Sequence, residues 1–159
     1  TDKTLANWQV VGAIRRMLPG ARIVHCRRDA LETAFSAFRQ HFAEGQGFSY
    51  DLDALVAFQS DCARAMAHWQ RAHGAAIVVH DHERLLDDAP GAIARVLTAC
   101  GVAFEAACLD FQANRRAVHT ASAAQVRAPL QRTRASAARY GDLLEPLAAR
   151  LATALGRIG

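Results

Sequence analysis

Two short apolar runs, Ile23-Val24 with Cys26 inside Arg22–Cys26 and then Ile77-Val78-Val79, stand far apart with helical patterns between them. A brief run without polar alternation suits a strand buried on both faces. Two such strands separated by helices are read as parallel neighbours, since a tight hairpin does not join them. The sequence therefore predicts an α/β fold, a parallel sheet flanked by helices. In such sheets ligands gather beyond the carboxyl ends of the strands.

The helical patterns are explicit. Leu5, Trp8, Val11, Ile14, Met17 and Leu18 recur at helical spacing before Pro19-Gly20 stops the run. A second helix is expected over Ala30–Phe42 and a third over Leu52–Ala72, the latter with Leu55, Phe58, Cys62, Met66 and Trp69 as its buried stripe. Between them, the polar, glycine-bearing stretch Glu44–Tyr50 reads as a mobile surface loop. Pro90–Cys100 has Pro near its start and Gly101 past its end, Phe104–Phe111 suits a short helix, and Asp142–Leu155 a last one. Asn114–Ser136 is a basic stretch among small residues, either a solvated loop or a clamp on a nucleotide.

With 159 residues, 52% of them hydrophobic, the chain suits one domain, residues 1–159, with a real core. No run reaches the length of a membrane span and Thr1-Asp2-Lys3 opens no signal peptide, so a cytoplasmic protein is expected. Cys26, Cys62, Cys100 and Cys108 lie far apart, as buried thiols in a reducing compartment would. A net charge of +4 favours acidic small molecules and lacks the dense basic stripe of a nucleic-acid binder. Of 19 basic residues only Lys3 is a lysine, so that position can be one that needs a compact ammonium.

The end of the first strand carries the chemistry. Arg27-Arg28 precede Asp29 and Glu32, which have the spacing of a capping box. The helix that follows places Leu31, Ala34, Phe35, Phe38 and Phe42 on one face and Thr33, Ser36 and Gln40 on another. Helical side chains lean toward the N-terminus, so Ser36 can reach back toward an anion held by Arg28 and the first-turn N–H groups, an arrangement that suits a phosphate. The same spacing also fits an ordinary capped helix with surface arginines. His80-Asp81-His82-Glu83 invites a metal, but its ligand types alternate just past a strand and nothing else lies at metal spacing. No metal is expected, and no Walker loop, dinucleotide fingerprint or nucleophile elbow is present.

Taken in order, these segments resemble the sulfotransferases, in particular the bacterial branch related to protein-tyrosine sulfotransferases and often fused to tetratricopeptide repeats. Thr1-Asp2-Lys3 through Asn7-Trp8 resembles that family's D-K-x-P-x-N-F, and Leu18–Asp29 resembles its F-P-x-A-R-I-I-H-C-R-R-D-P. Ser36 falls at the family's interval after Arg28, and Phe42–Asp51, Met66-Ala67-His68-Trp69 and Thr120–Pro129 extend the match over nearly the whole chain. The resemblance implies a P-loop-NTPase-like sheet and the donor 3′-phosphoadenosine 5′-phosphosulfate (PAPS), which leaves as adenosine 3′,5′-bisphosphate (PAP). It implies that Arg28 and Ser36 grip the 3′-phosphate, and that Lys3 and Ser122 stabilise charge as the sulfuryl group leaves. It further implies that the loop around Gln125–Gln131 covers the cofactor, with Ser122, Gln125, Val126, Arg127 and Arg132 as contacts. His82 stands near where relatives place the tyrosine of V-x-Y-E-x-L beside adenine; a surface histidine ahead of a helix is the other reading.

Two departures bear on function. The family begins with a strand and a G-x-P-R-S-G-T loop that cradles the 5′-phosphosulfate, and this sequence begins after them, so it reads as the C-terminal part of a longer sulfotransferase. Upstream tetratricopeptide repeats fit that expectation. Where relatives run R-S-S-x-G-R-W, this chain runs Arg132-Thr133-Arg134-Ala135-Ser136-Ala137-Ala138. The expected activity is sulfuryl transfer from PAPS to an unidentified hydroxyl acceptor, protein tyrosine among the candidates. A non-catalytic adenine-nucleotide or polyanion module that uses the same arginines is the alternative, and a purely structural scaffold a third. No residue is nominated as general base, Glu32, Glu44 and Glu83 each having a simpler reading as cap, loop or surface residue.

Overall fold

The protein is described from a computed structural model covering residues 1–42, 45–113 and 137–158. Among the described residues it is mixed α/β, mostly helical, with one two-stranded parallel sheet, β1 (Ile23–Arg27) beside β2 (Ile77–Asp81). The α-helices are α1 (Val11–Met17), α2 (Ala30–Arg39), α3 (Leu52–His73), α4 (His82–Asp87), α5 (Ala89–Cys100) and α6 (Glu145–Gly156).

Several boundaries depart from the sequence reading. The first helix is two pieces, a 3-10 turn over Leu5–Gln9 and then α1, because the chain bends at Val10 (φ −121°, ψ 17°). The bend accompanies a long-range bond, since the Trp8 carbonyl accepts the indole N–H of Trp69 at 2.8 Å. The second helix ends at Arg39, where Gln40 turns extended, three residues short of Phe42. Gly47–Tyr50, expected as mobile surface, is a 3-10 turn packed on α3: Ser49 is wholly buried with its hydroxyl on Gln46 O at 2.8 Å, and the Phe48 ring stacks on Phe58 at 3.9 Å. Phe104–Phe111 becomes two 3-10 turns, Ala106–Leu109 and Phe111–Ala113. The last helix is preceded by the 3-10 stretch Ala137–Leu144, broken at Gly141, whose φ of 45° suits a residue without Cβ. β1 is not buried on both faces either. Val24 and Cys26 are exposed, and exposure alternates along the strand's first four residues, as it does where one face of a sheet is covered.

The chain divides into two compact units. The first comprises Thr1–Ile23, Arg28–Ile77 and Arg134–Gly159. Its core has two clusters: Val11, Met66 and Ile77 with Trp8, Ile23, Cys62 and Trp69, and Ala34, Leu147 and Leu151 with Ala30, Leu31 and Val56. α3 forms its spine, started by Asp51, whose carboxylate accepts the Ala54 N–H at 2.8 Å, and Leu55 at 1% exposure is among its most buried side chains. Burying a leucine this fully contributes roughly 1.5–3 kcal/mol. Phe38, expected inside, is 45% exposed.

The second unit comprises Val24–Arg27 and Val78–Thr133. There α4 packs on α5, whose N-terminus is capped by Asp88 through the Gly91 N–H at 3.0 Å and whose C-terminus closes on Gly101 in the left-handed region (φ 71°). All four cysteines are free, Cys26 exposed and the others half-buried. Among the described residues no helix is long and apolar enough to cross a membrane.

Candidate functional site

The end of β1 distributes its two arginines differently. Arg27 is the last residue of β1 and Arg28 lies just past it, and each has its own carboxylate. Arg27 donates to Asp81 at the end of β2, Nη2–Oδ1 2.7 Å and Nε–Oδ1 2.8 Å, while Arg84 reaches the other Asp81 oxygen at 3.9 Å. This cluster belongs to the second unit, with Arg27 closely paired to Asp81 and Arg84 farther off. His25 lies in the same unit, and its burial, followed by the positive charge of Arg27, holds the imidazole below its usual pKa against the opposing pull of Asp81.

Arg28 belongs to the first unit, one residue before the Asp29 cap of α2. Asp29 Oδ1 accepts the Glu32 N–H at 2.8 Å, and its carbonyl accepts the Thr33 hydroxyl at 2.7 Å. The cap thus forms where the D-x-x-E spacing put it. The Arg28 side chain is 37% exposed, with Nη2 3.4 Å from Glu32 Oε2. That is longer than a tight charge-assisted bond of about 2.7–2.9 Å, and a guanidinium has five N–H donors, so the pair leaves capacity for an anion. Ser36 is exposed on α2, beside exposed Thr33 and half-buried Gln40 on the polar face that the sequence predicted.

The Glu32 carboxylate also reaches beyond its own helix. The residue is 8% exposed, and its other oxygen accepts the Ala137 N–H at 3.2 Å, across 105 residues. A residue so near an exposed arginine yet buried was not legible in the sequence. The D-x-x-E spacing drew attention to it and assigned it only the local role.

Lys3 is exposed on a turn made by its own motif. Asp2 Oδ1 accepts the Thr4 N–H at 3.0 Å and the Asn7 side-chain amide at 2.6 Å, bonds that also hold the Asp2 carboxyl below its ordinary pKa. The next residue, Trp8, is anchored on Trp69 and meets Phe58 edge-on at 5.8 Å. Two separate motif matches, Asn7-Trp8 and Met66-Ala67-His68-Trp69, therefore meet in one core cluster that holds the Lys3 turn. Gly12 is part of it, since a Cβ there would lie 2.8 Å from two Trp69 ring atoms.

His82 is the first residue of α4, half-buried, in the second unit. Ser122, Gln125, Val126, Arg127 and Arg132, like Glu44, lie outside the described residues. Among the described residues no group of three or more His, Cys, Asp or Glu is placed to share a metal ion. His80 and Asp81 are consecutive on β2, and Asp81 is engaged by Arg27 and Arg84.

These features define an α/β protein in which Arg28, just past the end of β1, stands beside the capped N-terminus of α2 with guanidinium N–H donors to spare. The chain belongs to the sulfotransferase family, whose sequence model matches residues 1–106. It is also similar to an uncharacterized protein of Aquifex aeolicus (strain VF5), 31% identical over 150 residues, which is 92% of this chain and 20% of that protein. The chain thus spans about a fifth of the length of that relative. No solved structure matches it.

Proposed function

We propose that this chain holds the adenosine 3′-phosphate end of PAPS in a sulfotransferase that transfers a sulfuryl group to a hydroxyl acceptor, protein tyrosine being one candidate. The observation that carries this reading is the β1–α2 junction: Arg28 stands exposed at the mouth of a capped helix, with the Ser36 hydroxyl exposed on the same helix. A planar guanidinium can give a phosphate two parallel charge-assisted bonds and the hydroxyl a third. The bound donor supplies the activated sulfuryl group. Lys3, with Ser122, is placed in the role of neutralising charge that builds on the leaving oxygen, for which a compact ammonium on an exposed turn is suited. A loose transition state asks the protein mainly for positioning and charge neutralisation, so this chemistry calls for no metal.

His82 is assigned to the adenine side and Gln125, Val126, Arg127 and Arg132 to the segment that closes over the cofactor. Residues 1–159 are read as one partial domain of a longer cytoplasmic sulfotransferase, its two strands belonging to a larger P-loop-NTPase-like sheet and tetratricopeptide repeats lying upstream. Calorimetry of the chain with PAP and with 5′-AMP tests the site: PAP should bind more tightly, and Arg28→Ala should erase the difference. Equal weak heats for both nucleotides, unchanged in Arg28→Ala, would remove the 3′-phosphate assignment. On a chain extended upstream, radiosulfate transfer that is lost in Lys3→Ala supports catalysis. PAP binding without transfer leaves the non-catalytic nucleotide-binding module.

A further inference from the structure

Glu32 lies between the exposed arginine and the C-terminal part of the first unit. A buried carboxylate is tolerated only where its lone pairs are used, and the two uses here differ in kind. One oxygen faces the mobile end of an exposed side chain, Arg28, at 3.4 Å. The other is bonded to a main-chain N–H, that of Ala137, itself only 4% exposed. Ala137 opens a stretch that is fixed to α2 at further points: Tyr140 meets Phe35 edge-on at 4.8 Å, and Leu147 and Leu151 of α6 pack with Ala34. The carboxylate is therefore clamped from behind by packed backbone and holds a flexible cation in front. Tethering a long side chain before its ligand arrives removes an ordering cost from the binding step.

We propose that Glu32 is the positioning residue for Arg28. Clamped by the Ala137 N–H, it presents the guanidinium to the 3′-phosphate and so sets the preference for 3′-phosphorylated over plain 5′-nucleotides. The inference rests on the PAP reading of the site given above. Glu32 touches no ligand; its effect runs through Arg28.

The test measures affinity for PAP and for 5′-AMP in the wild type, Glu32→Gln, Ala137→Pro, Arg28→Ala and the double variant Arg28→Ala/Glu32→Gln. Glutamine keeps a carbonyl acceptor for Ala137. Proline removes that N–H and leaves the Glu32 charge in place; because its ring must also fit where Ala137 is buried, differential scanning fluorimetry accompanies this variant, and Glu32→Gln tests the tether without it. Each of these two variants should weaken PAP by about three- to tenfold, the scale of one untethered side chain, and move 5′-AMP less than about twofold. In the Arg28→Ala background, Glu32→Gln should change nothing further. Parallel weakening of both nucleotides marks a purely structural role and overturns the proposal, as does tighter PAP binding in either variant or a further loss on top of Arg28→Ala. A wild type without preference for PAP overturns the site reading itself, and the proposal with it.

Discussion

Gly12→Ala is the sharpest test of how the Lys3 turn is held. Gly12 is the second residue of α1, where this change stabilises by at most the helix-interior value of about 1 kcal/mol, because alanine has the higher propensity. Here the new Cβ would lie 2.8 Å from Cη2 and Cζ3 of Trp69, closer than side-chain carbons pack. The indole cannot simply swing away, since its Nε1 donates to Trp8 O at 2.8 Å and its ring lies against His68 and His73 at 4.6 and 6.0 Å. Overpacking of this kind costs about 1–3 kcal/mol, and loss of the indole bond adds roughly 0.5–1.5 kcal/mol. Against the propensity gain, the net expectation is a destabilisation of about 1–3 kcal/mol.

Urea unfolding followed by tryptophan fluorescence reads this as a midpoint lowered by about 1 M, for a slope of roughly 1–3 kcal/mol per M. Gly156→Ala, in a helix where a Cβ meets nothing within 4 Å, is the control and should be neutral or mildly stabilising. In a Trp69→Leu background Gly12→Ala should cost less than it does in the wild type, because the smaller side chain gives way. A Gly12→Ala protein as stable as the wild type or more so would refute the reasoning, since it would mean that propensity outweighs the contact and that Trp69 does not fix the first turn.

Two further outcomes follow from single residues. Asp29→Ala should cost about 1 kcal/mol of stability through the lost cap on α2, and it should weaken PAP as well, because the same cap sets the backbone from which Arg28 projects; differential scanning fluorimetry and calorimetry check the two halves. His25, whose pKa is depressed by burial and by Arg27, binds fewer protons folded than unfolded, so its contribution to stability is complete above the ordinary value near 6.5 and is lost as pH falls below it toward the depressed folded value; stability measured across that window should fall with acid in the wild type and fall less steeply in His25→Gln.

Local chemistry was legible in the sequence and long-range pairing was not. The cap of α2, the proline at the start of α5 and the stop at Gly101 are written within a few residues of where they act, so their positions could be read directly. The same holds for α3, whose stripe of Leu55, Phe58, Cys62, Met66 and Trp69 faces inward as the period predicts. The break at Val10 depends on Trp8 meeting a residue 61 positions on, and no local pattern announces that. Periodicity also cannot say how wide a buried face is, which is why Phe38 fell on the apolar side and remains exposed while Ser49, read as loop surface, is buried. At the candidate site, spacing located the Asp29 cap and singled out Arg28 and Ser36 beside it. It could not say which of two adjacent arginines would be matched by Asp81 in the second unit and which by Glu32.

That division explains why so much of a matched motif is not chemistry. In the stretch from Asp2 to Trp8, only Lys3 carries a charge suited to the proposed transfer. Asp2 and Asn7 bond to each other, and Trp8 supplies a ring and a carbonyl to α3. Near Arg28, Asp29 sets the helix and Glu32 anchors the guanidinium to Ala137. An exposed cation on a flexible stem loses much of its binding energy to its own disorder, so a site that relies on two of them needs buried neighbours that hold each in place. In the proposed site the two cations have different neighbours: the turn that carries Lys3 runs into Trp8 of the aromatic cluster, and Arg28 lies 3.4 Å from a buried carboxylate. Under the proposed reading, substitutions among these neighbours should act on one end of the donor at a time: Glu32→Gln should weaken PAP in calorimetry, while Gly12→Ala should lower radiosulfate transfer by the upstream-extended chain and leave PAP affinity unchanged.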